Sequence, residues 1–244
     1  MRSVSFPVSA IVLLAALGIA SASVGAQTRA QTRTPAVDIQ RAAADDSSLR
    51  VIISVARRTL WVVTGPSDTL LKAPVAVGSQ RSLAYGGHRW TFKTPSGINT
   101  VLSKEEHPVW VPPDWHFVEV ARQRRLSIVW LHGDTTVGLS NGSSVVMHDL
   151  RVQLENGGSV RDFGGSEIVV NGTMFVPPVG SPNRRFEGQL GEYRLLLGDG
   201  VGIHGTPDAR SVGHAVTHGC MRLHDDDLAW VYDHISIGTR VYIY

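Results

Sequence analysis

Val51-Ile-Ile-Ser-Val-Ala56, Thr59-Leu-Trp-Val-Val-Thr64 and Leu70-Leu-Lys-Ala-Pro-Val-Ala-Val77 are three short runs rich in β-branched residues. Arg57-Arg58 parts the first two and Gly65-Pro66-Ser67-Asp68 the last two, so the stretch predicts an antiparallel meander. The pattern returns in Val118-Glu-Val120, Ser127-Ile-Val-Trp130, Ser144-Val-Val-Met147, Glu167-Ile-Val-Val170, Tyr193-Arg-Leu-Leu-Leu197 and Arg240-Val-Tyr-Ile-Tyr244, with Gly or Pro in most of the gaps. A mainly β domain follows. One segment departs from it: Asp225-Asp226-Asp227 precedes Leu228-Ala-Trp-Val-Tyr-Asp-His-Ile235, an acidic first turn ahead of apolar residues at helical spacing, which predicts one short helix. Residues 86–117 and 171–192, rich in Gly, Pro and Trp or Arg, read as long loops laid over the β scaffold.

At the N-terminus Arg2 precedes the apolar run Ile11-Val-Leu-Leu-Ala-Ala-Leu-Gly-Ile-Ala20, and Val24-Gly25-Ala26 ends in small residues. Residues 1–26 therefore read as a secretory leader cut before Gln27; Ala20-Ser21-Ala22 offers a second cut and an uncleaved anchor a third outcome. Residues 27–48 repeat Gln-Thr-Arg, lack aromatics and carry mixed charge, so they read as a flexible tether. Residues 49–244 have the size and apolar content of a single domain, and no later segment is long and apolar enough to span a bilayer. A formal net charge of +2 over 244 residues implies no nucleic-acid partner. Cysteine usage says more: an exported chain is free to form disulfides, yet Cys220 stands alone, and a lone thiol outside the cytosol asks for a chemical reason.

That reason lies in Gly202-Ile203-His204-Gly205-Thr206 and Thr217-His218-Gly219-Cys220-Met221-Arg222-Leu223. A thiol attacks a carbonyl as thiolate, and at a pKa near ~8.5 little of it is ionised at neutral pH, so a base or a positive charge must stand nearby. His204, at the end of an apolar run, is placed to take the thiol proton once its other ring nitrogen is fixed. Gly219 allows a tight turn that turns the N–H groups of Gly219 and Cys220 toward a developing oxyanion. His218 lines the same pocket, and Arg222, two residues beyond Cys220, offers a fork for a substrate carboxylate or lowers the thiol pKa. Two other readings of these residues stay open: a buried, inert cysteine, and a zinc site on His204, His218 and Cys220.

His-Gly-Thr paired with Thr-His-Gly-Cys-Met-Arg-Leu resembles the YkuD-type L,D-transpeptidases, whose signature is a histidine followed downstream by Ser/Thr-His-Gly-Cys, a hydrophobic residue and Asn or Arg. Thr94-Pro95-Ser96-Gly97, Leu197-Gly-Asp-Gly-Val-Gly-Ile-His-Gly-Thr206 and Gly238-Thr-Arg-Val-Tyr-Ile-Tyr244 extend the likeness over most of residues 50–244. The resemblance implies a mixed β-sandwich-like fold with one short helix after the catalytic cysteine, Cys220 as nucleophile, His204 as base, and the carbonyl of Gly205 orienting that base. It implies acyl transfer without a cofactor or metal: the thiolate attacks the carbonyl of the third residue of a peptidoglycan stem, D-alanine leaves, and an amine of a second stem or of an envelope protein takes the acyl group. The same thioester released to water makes a carboxypeptidase or hydrolase, and a wall-binding module without turnover is the reading from another class. An exported enzyme of this kind works in the periplasm or cell envelope.

In this sequence Thr217 stands where serine is more usual, and the stretch from Glu119 to about Gly191 matches no motif of the family. Thr217 and Arg222 are assigned to substrate binding, as are Trp110 and Trp115 of the stiff segment Pro108-Val-Trp-Val-Pro-Pro-Asp-Trp-His116, which reads equally as a packed loop. His214, His224 and His234 flank the motif off its positions, while Arg184-Arg185 and Arg122 with Arg124-Arg125 read as solvated surface.

Overall fold

A computed structural model describes residues 36–244, so the leader expected at 1–26 and the first part of the expected tether lie outside the described residues. The predicted meander is present: β1 (Arg50–Ser54), β2 (Thr59–Thr64) and β3 (Asp68–Pro74) pair antiparallel in sequence order. The chain continues through β4 (Val77–Gly78), the hairpin of β5 (Ser82–Tyr85) and β6 (His88–Thr91), then β7 (Gly97–Thr100) and β8 (Ser103–Glu106). After a long middle segment come β16 (Tyr193–Gly198), β17 (Val201–His204), β18 (Ala215–Thr217), β19 (Met221–Arg222), a helix at Asp225–His234 and the closing β20 (Arg240–Ile243). The middle segment holds β9 (Ser127–Trp130), β10 (Thr135–Gly138), β11 (Ser144–His148), β12 (Arg151–Asn156), β13 (Ser159–Asp162), β14 (Ile168–Val170) and β15 (Thr173–Val176).

Two sheets build the main core. One has the order β3-β2-β1-β20-β7, with β20 parallel to β1; the other runs β19-β17-β16-β8, with β19 parallel to β17. Val51, Ile53, Leu60 and Val62 of the first meet Leu195, Ile203 and Met221 of the second, and the helix at Asp225–His234 adds Leu228 and Val231 to the same cluster. The fold is thus mainly β and sandwich-like. Strand alternation explains the division: Leu195, Ile203 and Met221 are register partners across β16, β17 and β19 and share one sheet face, so their neighbours Arg194, His204 and Arg222 share the other.

The described residues contain three α-helices where the sequence predicted one: α1 (Ala36–Asp45), α2 (Asp114–Arg124) and α3 (Asp225–His234). α1 corrects the expected tether, of which residues 36–45 are helical. Ile39 and Ala43, one helical turn apart, lie buried on Tyr242 and cover the outer face of β1 and β20. Two residues of an i, i+4 stripe were masked by the polar composition around them. α2 corrects the strand expected at Val118–Val120. Phe117, Val118 and Ala121 are its buried face, Pro113 stands at the N-cap, and Arg125 closes it in the left-handed conformation. Within the segments expected as loops, β6, β7 and β8 occupy part of 86–117, and β15 part of 171–192.

From α2 to β15 the chain makes cores of its own. The meander β10–β13 packs with β14 and β15 around Val145, Met147, Val152, Ile168 and Phe175, while α2 packs Phe117 and Ala121 on Met174, Val176 and Phe186. Arg184, expected on the surface, is buried at 2% exposure. Its guanidinium donates to the carbonyls of Pro112 and Pro177 and pairs with Asp114 at 2.5 Å, so it ties the proline-held segment to the start of α2. A buried arginine is tolerated because its donors find acceptors on three sides.

Candidate active site

Register sets the site. Across the second sheet Glu105 of β8 pairs with Arg194, Arg194 with His204, and His204 with Arg222, which aligns an acid, two cations and an imidazole in one row above the apolar face. Arg194 Nε donates to Glu105 at 3.0 Å. Cys220 immediately precedes β19 and, with His204, Arg194 and Arg222, lines a cleft of about 560 Å³. His204 and Cys220, sixteen positions apart in sequence, thus share one cavity because β17 and β19 are adjacent and parallel.

His204 is buried, and its Nδ1 lies 2.6 Å from the carbonyl oxygen of Gly205. A carbonyl only accepts, so Nδ1 carries the proton and Nε2 keeps its lone pair. Burial pushes the pKa of His204 down to about 4, with Arg222 and Arg194 acting in the same direction against the Gly205 hydrogen bond. The ring is a neutral base at pH 7. Gly205 has no room for a side chain: a Cβ there would stand 2.8 Å from Asp225 Oδ1 and 3.0 Å from Gly191 Cα.

Cys220 is half-buried, and its thiol points at the carbonyl of Gly200 at 3.5 Å. Burial raises its pKa, opposed by a backbone hydrogen bond from Gly202 and by Arg194 and Arg222. The resting pair is therefore neutral thiol and neutral imidazole. Arg222 lowers the thiol pKa, as the sequence suggested, but burial acts more strongly in the opposite direction.

The turn ahead of Cys220 is held from within and without. Thr217 Oγ1 donates to the Cys220 carbonyl at 2.6 Å and accepts from Gly219 N–H at 3.2 Å, while Gly219 itself sits at φ +138°, where a side chain is strained. Thr217 lines the cleft but is buried, with its hydroxyl engaged inside the turn. Gly219 N–H has an acceptor in Thr217 Oγ1, whereas Cys220 N–H has none among the described residues. From outside, buried Thr94 accepts from Gly78 N–H at 2.8 Å and donates to the Gly219 carbonyl at 2.9 Å, clamping the turn to β4.

Trp110 and Trp115 line the cleft together with His116. They are packed as well: Trp110 meets Phe186 edge-on at 5.8 Å, and Trp115 stacks on His218 at 3.8 Å. His218 Nε2 lies 2.7 Å from Glu119, and His116 Nε2 lies 2.8 Å from Glu167. Of the residues singled out in the sequence, Cys220, His204, His218, Arg222, Trp110 and Trp115 line the cleft together; Arg194, which also lines it, and the neighbouring Thr94, Glu105 and Glu119 were passed over. Arg194 was signalled by a lone charge inside an apolar strand; Glu119 was hidden by the misread helix. Among the described residues no group of three or more His, Cys, Asp or Glu side chains is gathered as for a metal ion.

Residues 48–243 match the family model of the L,D-transpeptidase catalytic domain, YkuD. The chain is 41% identical over 54 residues to ErfK/SrfK of Salmonella typhimurium, named as a probable L,D-transpeptidase, a match covering 22% of this chain and 18% of that one. It is 36% identical over 66 residues to YbiS of Escherichia coli, also named as a probable L,D-transpeptidase, covering 27% and 20%. The matches thus span about a fifth of the length of these relatives. Among solved structures, L,D-transpeptidase 3 of Mycobacterium tuberculosis with a faropenem-derived adduct aligns at 16% identity and TM-score 0.42, over 80% of this chain and 60% of that one. With the family model spanning nearly the whole described region, the chain belongs to the YkuD family of L,D-transpeptidase catalytic domains.

Proposed function

We propose that this protein is a peptidoglycan L,D-transpeptidase, a cysteine acyltransferase that acts outside the cytoplasmic membrane after its leader directs export. The observation that supports the mechanism is the hydrogen bond from His204 Nδ1–H to the Gly205 carbonyl, which leaves Nε2 unprotonated on a ring that lines the same cleft as Cys220.

As the carbonyl of the third stem residue approaches, His204 Nε2 takes the thiol proton and Sγ bonds to the carbonyl carbon. The oxygen, now negative, is received by Cys220 N–H. Collapse breaks the bond to the terminal D-alanine, whose amine leaves with the proton from His204, and a thioester remains. An acceptor amine then attacks, gives its proton to His204, and expels the sulfur as the new amide forms. Arg222, half-buried and lining the cleft, with its Nε lacking an acceptor among the described residues, suits a substrate carboxylate, and Trp110 and Trp115 supply an apolar wall for the stem. No cofactor enters this scheme.

The test is mass-spectrometric product analysis after wild type and Cys220→Ala are incubated with disaccharide-tetrapeptide muropeptides. Crosslinked 3-3 dimers from wild type alone are expected. Tripeptides alone would reassign the protein as a hydrolase of the same thioester, and no product from wild type with stems or with an envelope-protein acceptor would favour a binding module.

A further inference from the structure

The segment running from α2 to β15 reaches the cysteine turn through a side chain that the scheme above leaves idle. His218 is gripped on three sides: Glu119 Oε2 at 2.7 Å from Nε2, the Trp115 ring stacked at 3.8 Å and 13°, and Phe92 edge-on at 4.3 Å. Trp115 and Glu119 are four residues apart on α2 and so present one face. That face is anchored, because Val118 and Phe92 are buried in a common cluster which Trp115 packs against. Glu119 can only accept, so Nε2 of His218 bears the proton and Nδ1 is the nitrogen that makes no hydrogen bond among the described residues.

Other charges also face His218. Burial disfavours its protonation, Glu119 favours it, and Arg222 and Arg81 disfavour it to a smaller degree. Asp208, Arg210 and His214 lie across a second cavity of about 520 Å³ that His218 and Arg222 share with the cleft. Only Gly219 separates His218 from Cys220, and within the turn Thr217 and Thr94 supply side-chain hydrogen bonds while Ser79 N–H donates to the Thr217 carbonyl at 2.9 Å.

We propose that Glu119 is a positioning residue for acyl transfer: by holding the His218 ring against Trp115 and Phe92 it fixes the turn whose Cys220 N–H receives the oxyanion. On this account the segment that resembles no family motif is part of the catalytic machinery. The inference rests on the acyl-transfer reading.

The experiment compares wild type, Glu119→Ala, Glu119→Gln, His218→Ala and the Glu119→Ala/His218→Ala double variant. One readout is the rate at which a carbapenem modifies Cys220, followed by intact mass; the other is the histidine ring ¹⁵N spectrum across pH. Glu119→Ala is expected to slow modification by about ten- to a hundredfold, and the double variant to be no slower than His218→Ala. Glu119→Gln, which keeps shape and an acceptor, should recover most of the rate while His218 titrates at lower pH; it keeps the test open should Glu119→Ala fail to fold. A folded Glu119→Ala reacting as fast as wild type, effects that multiply in the double variant, or an unmoved His218 titration in Glu119→Gln would each overturn the inference. Wild type that forms no adduct would instead sink the acyl-transfer reading, and this inference with it.

Discussion

At Cys220 and His204 burial does two things at once: it raises the thiol pKa and lowers that of the imidazole, which favours the neutral form of each. A base with a pKa of about 4 is available across the neutral range, so the acid limb of the acylation rate should fall near pH 4 and not near 6.5. His204→Ala should lower acylation at pH 7 by about 10²-fold or more, with partial recovery at higher pH where the thiol ionises unaided; stopped-flow or intact-mass kinetics from pH 4 to 10 would show it. A variant as fast as wild type at pH 7 would remove His204 from the mechanism. Thr94 carries a different burden. Thr94→Val would strip the partners from Gly78 N–H and the Gly219 carbonyl, both buried contacts, at a cost of about 2–4 kcal/mol. Denaturant unfolding should register that loss together with slower acylation; an unchanged midpoint would mean that water replaces the hydroxyl.

Among the elements, α1 and α2 show where local pattern and tertiary context part. The stripe of α1 consists of Ile39 and Ala43 alone, and what makes it a helix on the domain is the surface of Tyr242 waiting for it, with the Tyr242 hydroxyl donating to Asp46 at 2.7 Å just beyond the helix. Ile39→Ala should therefore destabilise the whole domain by about 2–4 kcal/mol, measured by thermal or chemical unfolding, whereas a free tether would leave stability unchanged. In α2 the residues Val118 and Val120 favour a strand by propensity, yet Phe117, Val118 and Ala121 bury at helical spacing, and that packing decides. Strands β1, β2, β16 and β20, by contrast, were legible because each is a run of β-branched or aliphatic residues bounded by turn formers, and burial on their core-facing side agrees with that preference.

For the molecule as a whole, the buried imidazole links activity to acid stability. Below pH 6.5 the unfolded chain takes up a proton at His204 that the folded chain refuses until about pH 4. Stability should thus fall as pH drops between those values, by about 3 kcal/mol in total, and then level off with respect to this group. Urea unfolding of wild type and His204→Gln at pH 7, 5.5 and 4 checks this; parallel losses in the two proteins would assign the acid sensitivity elsewhere. By itself the sequence determined the β character of the domain and its family, and it singled out Cys220, His204 and Gly205 as candidates, because these depend on short-range pattern and on residues few in number and chemically distinctive. Only the tertiary structure decided that Cys220 N–H has no acceptor among the described residues, that the Thr217 hydroxyl bonds within the turn, that Arg184 is buried, and that Glu119 grips His218. Those facts depend on which partners arrive from strands and helices far along the chain, and a hydrogen bond across about a hundred residues leaves no local trace in the pattern on either side of it.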